Sequence, residues 1–338
     1  MSSPGEVSVG PIASLAGLLN ELGCRPAKVF ADAGIDPRLF EKPQNRLQLT
    51  EAGRLMVHCA KITKCPHIGI LLGQRFQLQD LGPLAHLLRN SATVGDALRS
   101  LVLHLHWHDR GAVPIFKSVS DSAVLLGYAV YRPQTPGIPE IYDVAITVAL
   151  RIMQELCGPG WKPKRVQFAY RKPTATQAYH DLFHAPVQFN SEVSGVIFAS
   201  HSLGQAIKGA DPFLHRLLTE ALQDEAASKM SFGEQVQEVL YQMVLGGNYS
   251  TNSVCSLFGL HERTLRRRLA AEGLQLHDLV RDTRFELAKL MLEQTDRPVT
   301  DVSAALGYED PNAFSRAFRS WAGQSPRQWR NRWRQARS

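Results

Sequence analysis

Val254-Cys255-Ser256-Leu257-Phe258-Gly259 and Val302-Ser303-Ala304-Ala305-Leu306-Gly307 are two versions of one pattern set 48 residues apart, and their reading decides the C-terminal architecture. Self-similarity at a fixed offset is most economically a duplicated supersecondary unit. In each copy a short apolar helix runs into a glycine, the residue best suited to the left-handed turn that closes a helix. Beyond the glycine a second apolar stripe begins: Leu265 and Leu269 in the first copy, Phe314, Phe318 and Trp321 in the second, at the i, i+4, i+7 spacing of one helix face. Asp310 is placed to cap the later helix and Pro311 to occupy its first turn. Helix, glycine turn and second helix together make a helix-turn-helix, whose second helix lies in a DNA major groove.

The outer faces of those second helices carry the chemistry. At about 3.6 residues per turn, Asn312, Arg316 and Arg319 fall on a stripe opposite Phe314, and Arg263 and Arg267 fall on the corresponding stripe of the first copy, with Arg266 at its edge. An arginine fork can bind guanine O6 and N7 together, and asparagine can read adenine. One amphipathic helix with outward arginines is by itself only a surface helix, and a lone helix-turn-helix pattern is a weak signal. Two copies, both arginine-rich outside, point to DNA.

Composition agrees. The chain has 338 residues, 44% of them hydrophobic and 20% charged, with a formal charge of +7. At roughly 150 residues per domain it holds about two domains. It is too apolar for a disordered chain, and it has no uninterrupted apolar run that could span a bilayer. After residue 228 there are 16 Lys and Arg against 12 Asp and Glu, and the end is crowded with Arg327, Arg330, Arg332, Arg334 and Arg337, a natural polyanion-binding surface. The start, MSSPGEVSVG, lacks the basic and apolar regions of a signal peptide, so a cytoplasmic chain with reduced thiols is expected. Cys24, Cys59, Cys65, Cys157 and Cys255 are odd in number and scattered, which speaks against a disulfide framework or a cysteine zinc knuckle.

Ahead of the repeat, helix and strand signals mix. Segment 50–64, with Thr50 as N-cap and Leu55, Cys59 and Ile62 at helical spacing, and segment 94–108, with Val94, Leu98, Leu101, Val102 and Leu105, read as amphipathic helices. Val113–Lys117, Ala123–Tyr131, Arg165–Tyr170 and Ser194–Ala199 read as strands. A long helix at 139–157 ends before Gly158-Pro159-Gly160. After Asp211-Pro212 only helical periodicity remains. Ser231-x-x-Glu234 is a capping box that opens a helix, and Gly246-Gly247-Asn248 closes it. With the boundary set near Ala226-Ala227-Ser228-Lys229, the expected fold is an α+β N-terminal regulatory domain, residues 1–227, followed by an all-α DNA-binding domain, residues 228–338.

From about residue 231 to Arg330 the chain resembles the DNA-binding domain of the AraC/XylS family of bacterial transcriptional regulators. The likeness is carried by Arg263-Thr264-Leu265-Arg266-Arg267-Arg268-Leu269, Arg284-Phe285-Glu286-Leu287-Ala288, Leu306-Gly307-Tyr308, Phe314-Ser315-Arg316-Ala317-Phe318 and Gly323-Gln324-Ser325-Pro326. The resemblance implies two helix-turn-helix units joined by a linker helix, here about 276–293, with recognition helices in adjacent major-groove segments roughly 34 Å apart. It places the base-contacting positions on Arg263, Arg266 and Arg267 and on Asn312, Ala313 and Arg316. Cys255 and Ser303 depart from the alanine usual in the family, and both are small enough to pack. More distantly, Phe168-Ala169-Tyr170-Arg171-Lys172-Pro173 and Phe183-His184-Ala185-Pro186-Val187-Gln188-Phe189 resemble the arabinose-binding-like effector module of a subgroup of this family. That implies a regulatory domain that dimerises and senses a small molecule, with no sugar implied. The expected partners are double-stranded DNA, a second copy of the chain, RNA polymerase and an unnamed effector; activation and repression both stay open.

The rival reading is a metal-dependent or ligand-converting enzyme with a DNA-binding tail, suggested by His104-x-His106-x-His108-Asp109. On a strand the three histidines would share a face and could hold a metal. Read as a helix end, His104 and His108 flank the apolar stripe and His106 points away. No GxSxG elbow, HExxH helix, P-loop or dinucleotide fingerprint is present, so no enzyme activity, cofactor or metal is expected. Arg132, Arg151 and Arg171 could meet an acidic ligand but are too scattered to define a site.

Overall fold

The computed structural model describes residues 5–132, 134–226, 231–247 and 249–335. Strand β1 (Glu6–Ser8) pairs antiparallel with β2 (Arg46–Gln48), and helices α1 (Leu15–Glu21) and α2 (Pro26–Ala33) lie between them in sequence. Then come α3 (Leu49–Thr63), α4 (Ile68–Gln74), α5 (Pro83–Arg89) and α6 (Val94–His104). The N-cap of α3 is Gln48, not Thr50. The strand runs straight into the helix, and the Gln48 amide is satisfied by the Glu51 carboxylate at 3.1 Å. Ile62 is 40% exposed, because the inward stripe of α3 is Ala52, Leu55, Met56 and Cys59 and the chain turns away at Lys64. Helix α6 stops at His104, four residues short of the expected end, and gives way to a 3₁₀ turn over Leu105–Trp107. There the His104 ring bonds the Ser100 carbonyl at 2.8 Å, one turn back in its own helix.

The hairpin β3 (Ala112–Ser120) and β4 (Ala123–Val130) leads to α7 (Ile138–Cys157), β5 (Arg165–Gln167), α8 (Gln177–Phe183), β6 (Val187–Gln188), β7 (Ser194–Ala199) and α9 (Pro212–Ala226). The sheet has the order β3-β4-β7-β5-β6, antiparallel except for the β5–β6 pair. Strand β5 is shorter than its apolar run. It ends at Gln167, although the Phe168 amide still donates to the Gln188 carbonyl at 2.8 Å while its ring stacks on Phe189 at 5.5 Å and 17°. One sheet face, with Val124, Leu126, Val130, Val166, Val196 and Phe198, packs into a large core with α7. Helix α4 crosses α7 at glycine distance: a Cβ on Gly69 would stand 2.5 Å from the Glu140 carbonyl oxygen, and one on Gly73 would stand 2.6 Å from Thr147.

The rest is helical: α10 (Phe232–Gly246), α11 (Thr251–Leu257), α12 (Glu262–Ala271), α13 (Leu276–Gln294), α14 (Val299–Ala305), α15 (Pro311–Ala322) and α16 (Pro326–Gln335). The expected α+β portion followed by an all-α portion is present; residues 227–229 of the expected boundary lie outside the described ones. Ser231 caps α10, its hydroxyl accepting from the Glu234 amide at 3.2 Å. Gly247 ends that helix in the left-handed conformation at φ 75°.

Inside the main core Asp143, on α7, accepts hydrogen bonds from the hydroxyls of Tyr170 and Tyr179, the latter at 2.9 Å. Burial outweighs these donors and pushes its carboxyl up to about 8, so the folded protein holds a proton that the unfolded chain has already released. A group raised in this way stabilises the fold below its ordinary range and loses that contribution as pH rises, here between about pH 4 and pH 8. Asp143→Asn, which keeps the shape and cannot titrate, is expected to flatten the fall in Tm over that window. Parallel Tm-against-pH curves for the two proteins would refute the assignment.

Candidate DNA interface

The first helix-turn-helix is α11, a turn through Gly259 at φ 61°, and α12. Ser250 caps α11 by accepting from the Ser253 amide at 3.0 Å. Leu265 and Leu269 of α12 are fully buried among Val236, Leu240, Val254, Cys255, Leu279 and Val280. With that stripe turned inward, Arg263, Arg266 and Arg267 are exposed. Arg266 pairs with Glu262 one turn earlier, and Arg268 lies over the Phe232 ring at 5.5 Å. Glu272, just past α12, accepts from the Phe232 and Gly233 amides at 2.9 and 2.8 Å, so it satisfies the start of α10.

The second unit repeats the plan with α14, Gly307 at φ 78° and α15. Asp310 caps α15 by accepting from the Asn312 and Ala313 amides at 2.8 and 3.1 Å, and Pro311 stands in the first turn. Phe314 and Phe318 are fully buried against Tyr308 and Trp329. Asn312, Arg316 and Arg319 are exposed, and Ala313 is half-buried. Arg316 rests 3.6 Å from Asp310, an exposed contact that is weak in water. Cys255 and Ser303 are buried, as small residues at those places should be.

The linker helix runs over Leu276–Gln294, and two of its residues hold the units together. The Arg284 guanidinium lies over Tyr249, ahead of the first unit, at 5.6 Å and over Tyr308 of the second at 5.0 Å. Phe285 packs edge-on to Phe318, Trp321 and Trp329.

The α-helical part also docks on the sheet. Its second face, Val113, Ile115, Ala123, Leu125, Ala129, Val193 and Ile197, shares a core with Tyr241, Val244, Leu245, Leu287 and Met291. Tyr131 stacks on Tyr241 at 4.4 Å, Lys117 donates to the Leu245 carbonyl at 3.0 Å, and Arg110 pairs with Glu234 at 3.1 Å. The largest polar contribution comes from Arg171. Its amide donates to the Gln294 carbonyl at 2.9 Å, and its guanidinium reaches the carbonyls of Glu293 and Thr295 and the Asp296 carboxylate at 2.7, 3.3 and 2.8 Å. A cation there answers both the orphan carbonyls and the negative end of α13. Burial opposes ionisation of Asp296, but Arg171 and Arg334 hold its carboxyl below the usual range.

The terminal arginines therefore divide. Arg330 donates to the Leu292 carbonyl at 3.3 Å and Arg334 pairs with Asp296, so both serve packing; Arg327 and Arg332 are exposed, and Arg337 lies outside the described residues. Arg110, Arg171 and Arg284 are the contributors that a pattern search for base-reading faces passes over. Arg171 and Arg284 lie inside the motifs that carry the family resemblance.

The histidines do not converge. His104 is buried against Trp107, its ring 4.2 Å away, and His106 is edge-on to the same indole at 5.7 Å. His106 does not point away as a continued helix would have it, because the helical phase ends at His104; burial depresses its imidazole to about 4. Among the described residues no three His, Cys, Asp or Glu side chains form a group that could hold a metal ion. No helix among them is long and apolar enough to cross a membrane.

Residues 23–207 match the family model described as the arabinose-binding domain of AraC transcription regulator, and residues 254–332 match a helix-turn-helix domain model. The HTH-type transcriptional regulator VirS of Mycobacterium tuberculosis is 28% identical over 93% of each chain. The ornithine utilization regulator of Pseudomonas aeruginosa is 23% identical over 96% of each. Among solved structures, the transcriptional regulator CdpR from Pseudomonas aeruginosa aligns over 93% of this chain and 98% of its own, at 23% identity and a TM-score of 0.44.

Replacing Arg171 with alanine removes several charge-assisted hydrogen bonds and leaves the end of α13 without its cation. A decrease of about 1–3 kcal/mol in denaturant unfolding is expected. An unchanged midpoint and slope would show that α13 is held by apolar docking alone.

Proposed function

The chain belongs to the AraC family of transcription regulators and is a DNA-binding regulator of transcription, and from that premise we propose that it reads a specific operator through two arginine-lined helices. In this reading Arg263, Arg266 and Arg267 of α12 and Asn312, Ala313, Arg316 and Arg319 of α15 face the major groove. The observation that carries it is the opposition of fully buried Leu265, Leu269, Phe314 and Phe318 to exposed arginines on the same two helices. We assign residues 1–227 to dimerisation and effector response and residues 228–338 to DNA, with RNA polymerase contacted at the promoter and the protein working in the cytoplasm without catalytic activity. Dimerisation is supported by α9, where Phe213, Leu214 and Leu217 are 60%, 39% and 45% exposed. A second copy doubles the phosphate and base contacts.

Selection of bound duplexes from a randomised pool, with the full chain at near-physiological salt, is expected to enrich a two-part motif with about one helical turn between its parts. Arg316→Ala and Arg267→Ala should each cost about 1–3 kcal/mol at the enriched site and relax preference there. Removal of Arg327 and Arg332 should weaken binding to all sequences alike and make the salt slope shallower by about one for each phosphate that is no longer neutralised. Enrichment of no motif, by either the free chain or the chain in cell extract, would leave a non-specific binder. Phe213→Glu with Leu217→Glu should shift the sedimenting species toward monomer; unchanged mass would remove α9 from the dimer surface.

A further inference from the structure

Where the two parts meet, beside their shared core, lies an open cleft of about 650 Å³, roomy enough to admit a small molecule together with water. Both parts wall it. Arg110, Tyr131 and Arg132 flank the β3–β4 hairpin, Glu234, Glu238 and Tyr241 stand on α10, and Glu286 and Lys289 stand on α13. Six of these side chains are charged, three of each sign, and four of the six are matched. Arg110 pairs with Glu234 at 3.1 Å and Lys289 with Glu286 at 2.8 Å. That leaves Glu238 and Arg132, one negative and one positive.

Neither has a hydrogen-bond or ion-pair partner among the described residues, and they do not pair with each other. Both are half-buried. The Nε of Arg132 is closed off, but its two terminal nitrogens keep contact with solvent, as do both carboxylate oxygens of Glu238. Both charges act on one hydroxyl of the cleft wall, that of Tyr131, Glu238 against its ionisation and Arg132 in favour of it. A carboxylate that has lost much of its hydration without gaining a counter-charge is costly. Burial pushes Glu238 up to about 7; Asp109 adds to the rise, and Arg110, already engaged by Glu234, offsets it only in part.

The two unmatched groups select the occupant. A simple amine answers Glu238 and leaves Arg132 alone. A simple carboxylic acid answers Arg132 but sets a further anion among Glu234, Glu238 and Glu286, and a sugar brings no charge to either group. A molecule that carries both an ammonium and a carboxylate meets both, each through charge-assisted hydrogen bonds, and the planar guanidinium fork suits a carboxylate. We propose that the cleft is a binding site for a small zwitterion of the amino-acid class, its ammonium held by Glu238 and its carboxylate by Arg132.

Glu238 belongs to the DNA-binding part and Arg132 to the regulatory part, so this ligand joins the two. A molecule held from both sides favours the arrangement in which the parts are docked, and biases any equilibrium that separates or rotates them. This coupling rests on the effector-responsive reading above; the site itself does not.

The test uses the full chain, with the shift in Tm and calorimetric titration as readouts. The probes are the standard L-amino acids; β-alanine, 4-aminobutyrate and 6-aminohexanoate, which lengthen the distance between the charges; and acetate and propylamine, which carry one charge each. At least one zwitterion is expected to bind, about tenfold or more tighter than either single-charge probe. Glu238→Gln and Arg132→Gln should each weaken that binding by about tenfold or more. Because Glu238 is unpaired, Glu238→Gln should leave the ligand-free protein at least as stable as the parent, so a loss of binding there is not a loss of fold. Binding by no zwitterion, equal binding of acetate or propylamine, or undiminished binding by the folded variants would overturn the site. DNA affinity measured with and without the bound zwitterion separates the two claims: binding with unchanged DNA affinity leaves the site standing and removes the effector reading.

Discussion

Strand β4, Ala123–Val130, is buried on both faces, and most of the molecule follows from that constraint. Val124, Leu126 and Val130 face α7, while Ala123, Leu125 and Ala129 face away from it. In an antiparallel sheet one face is often left to water, and a strand then alternates apolar with polar residues. Here it does not alternate, so a second layer is obligatory. The DNA-binding part supplies it through α10 and α13, and the two parts share a core. The hydrophobic effect is non-directional, so this docking needs polar contacts to fix its register. Arg171 on the end of α13, Arg110 with Glu234, and Lys117 on the Leu245 carbonyl provide them at separate points.

Within the DNA-binding part the same division of labour recurs on a smaller scale. Each recognition helix spends its leucines or phenylalanines on the neighbouring helix, which leaves the arginines outside. Arg284, between Tyr249 and Tyr308, and Phe285, among Phe318, Trp321 and Trp329, fix the spacing of the two units from the linker helix. A rigid relation matters because two helices can enter successive groove segments of one duplex only if their separation suits its pitch.

Much of this was legible along the chain. The repeat at Val254 and Val302, the capping residues Ser231 and Asp310, the closing glycines, and the inward and outward faces of α12 and α15 all depend on neighbours within about two helical turns. So does the long helix that ends at Gly158. Misreadings came where other contacts override simple periodicity. Helix α6 gives way to a 3₁₀ turn after His104, whose ring bonds Ser100 one turn back, Gln48 replaces Thr50 as cap because a strand abuts the helix, and Phe168 joins an aromatic cluster at the end of its strand. The segment 108–110 gave no signal of its own beyond the histidine pattern that ends in His108, and its contacts with β1, from far along the chain, and with α10 arise only in the tertiary structure.

The sequence by itself determined the elements and their kind: an α+β part, an all-α part, and a duplicated helix-turn-helix with arginines outward. Those follow from periodicity and capping, which are short-range. Tertiary structure alone decided that the two parts share a core and that Arg171, Arg330 and Arg334 bind protein while Arg327 and Arg332 stay in solvent. An apolar strand face or an arginine is the same letter whatever covers it, and the choice of cover is made only when residues tens to more than a hundred positions apart in sequence compete for the same surface.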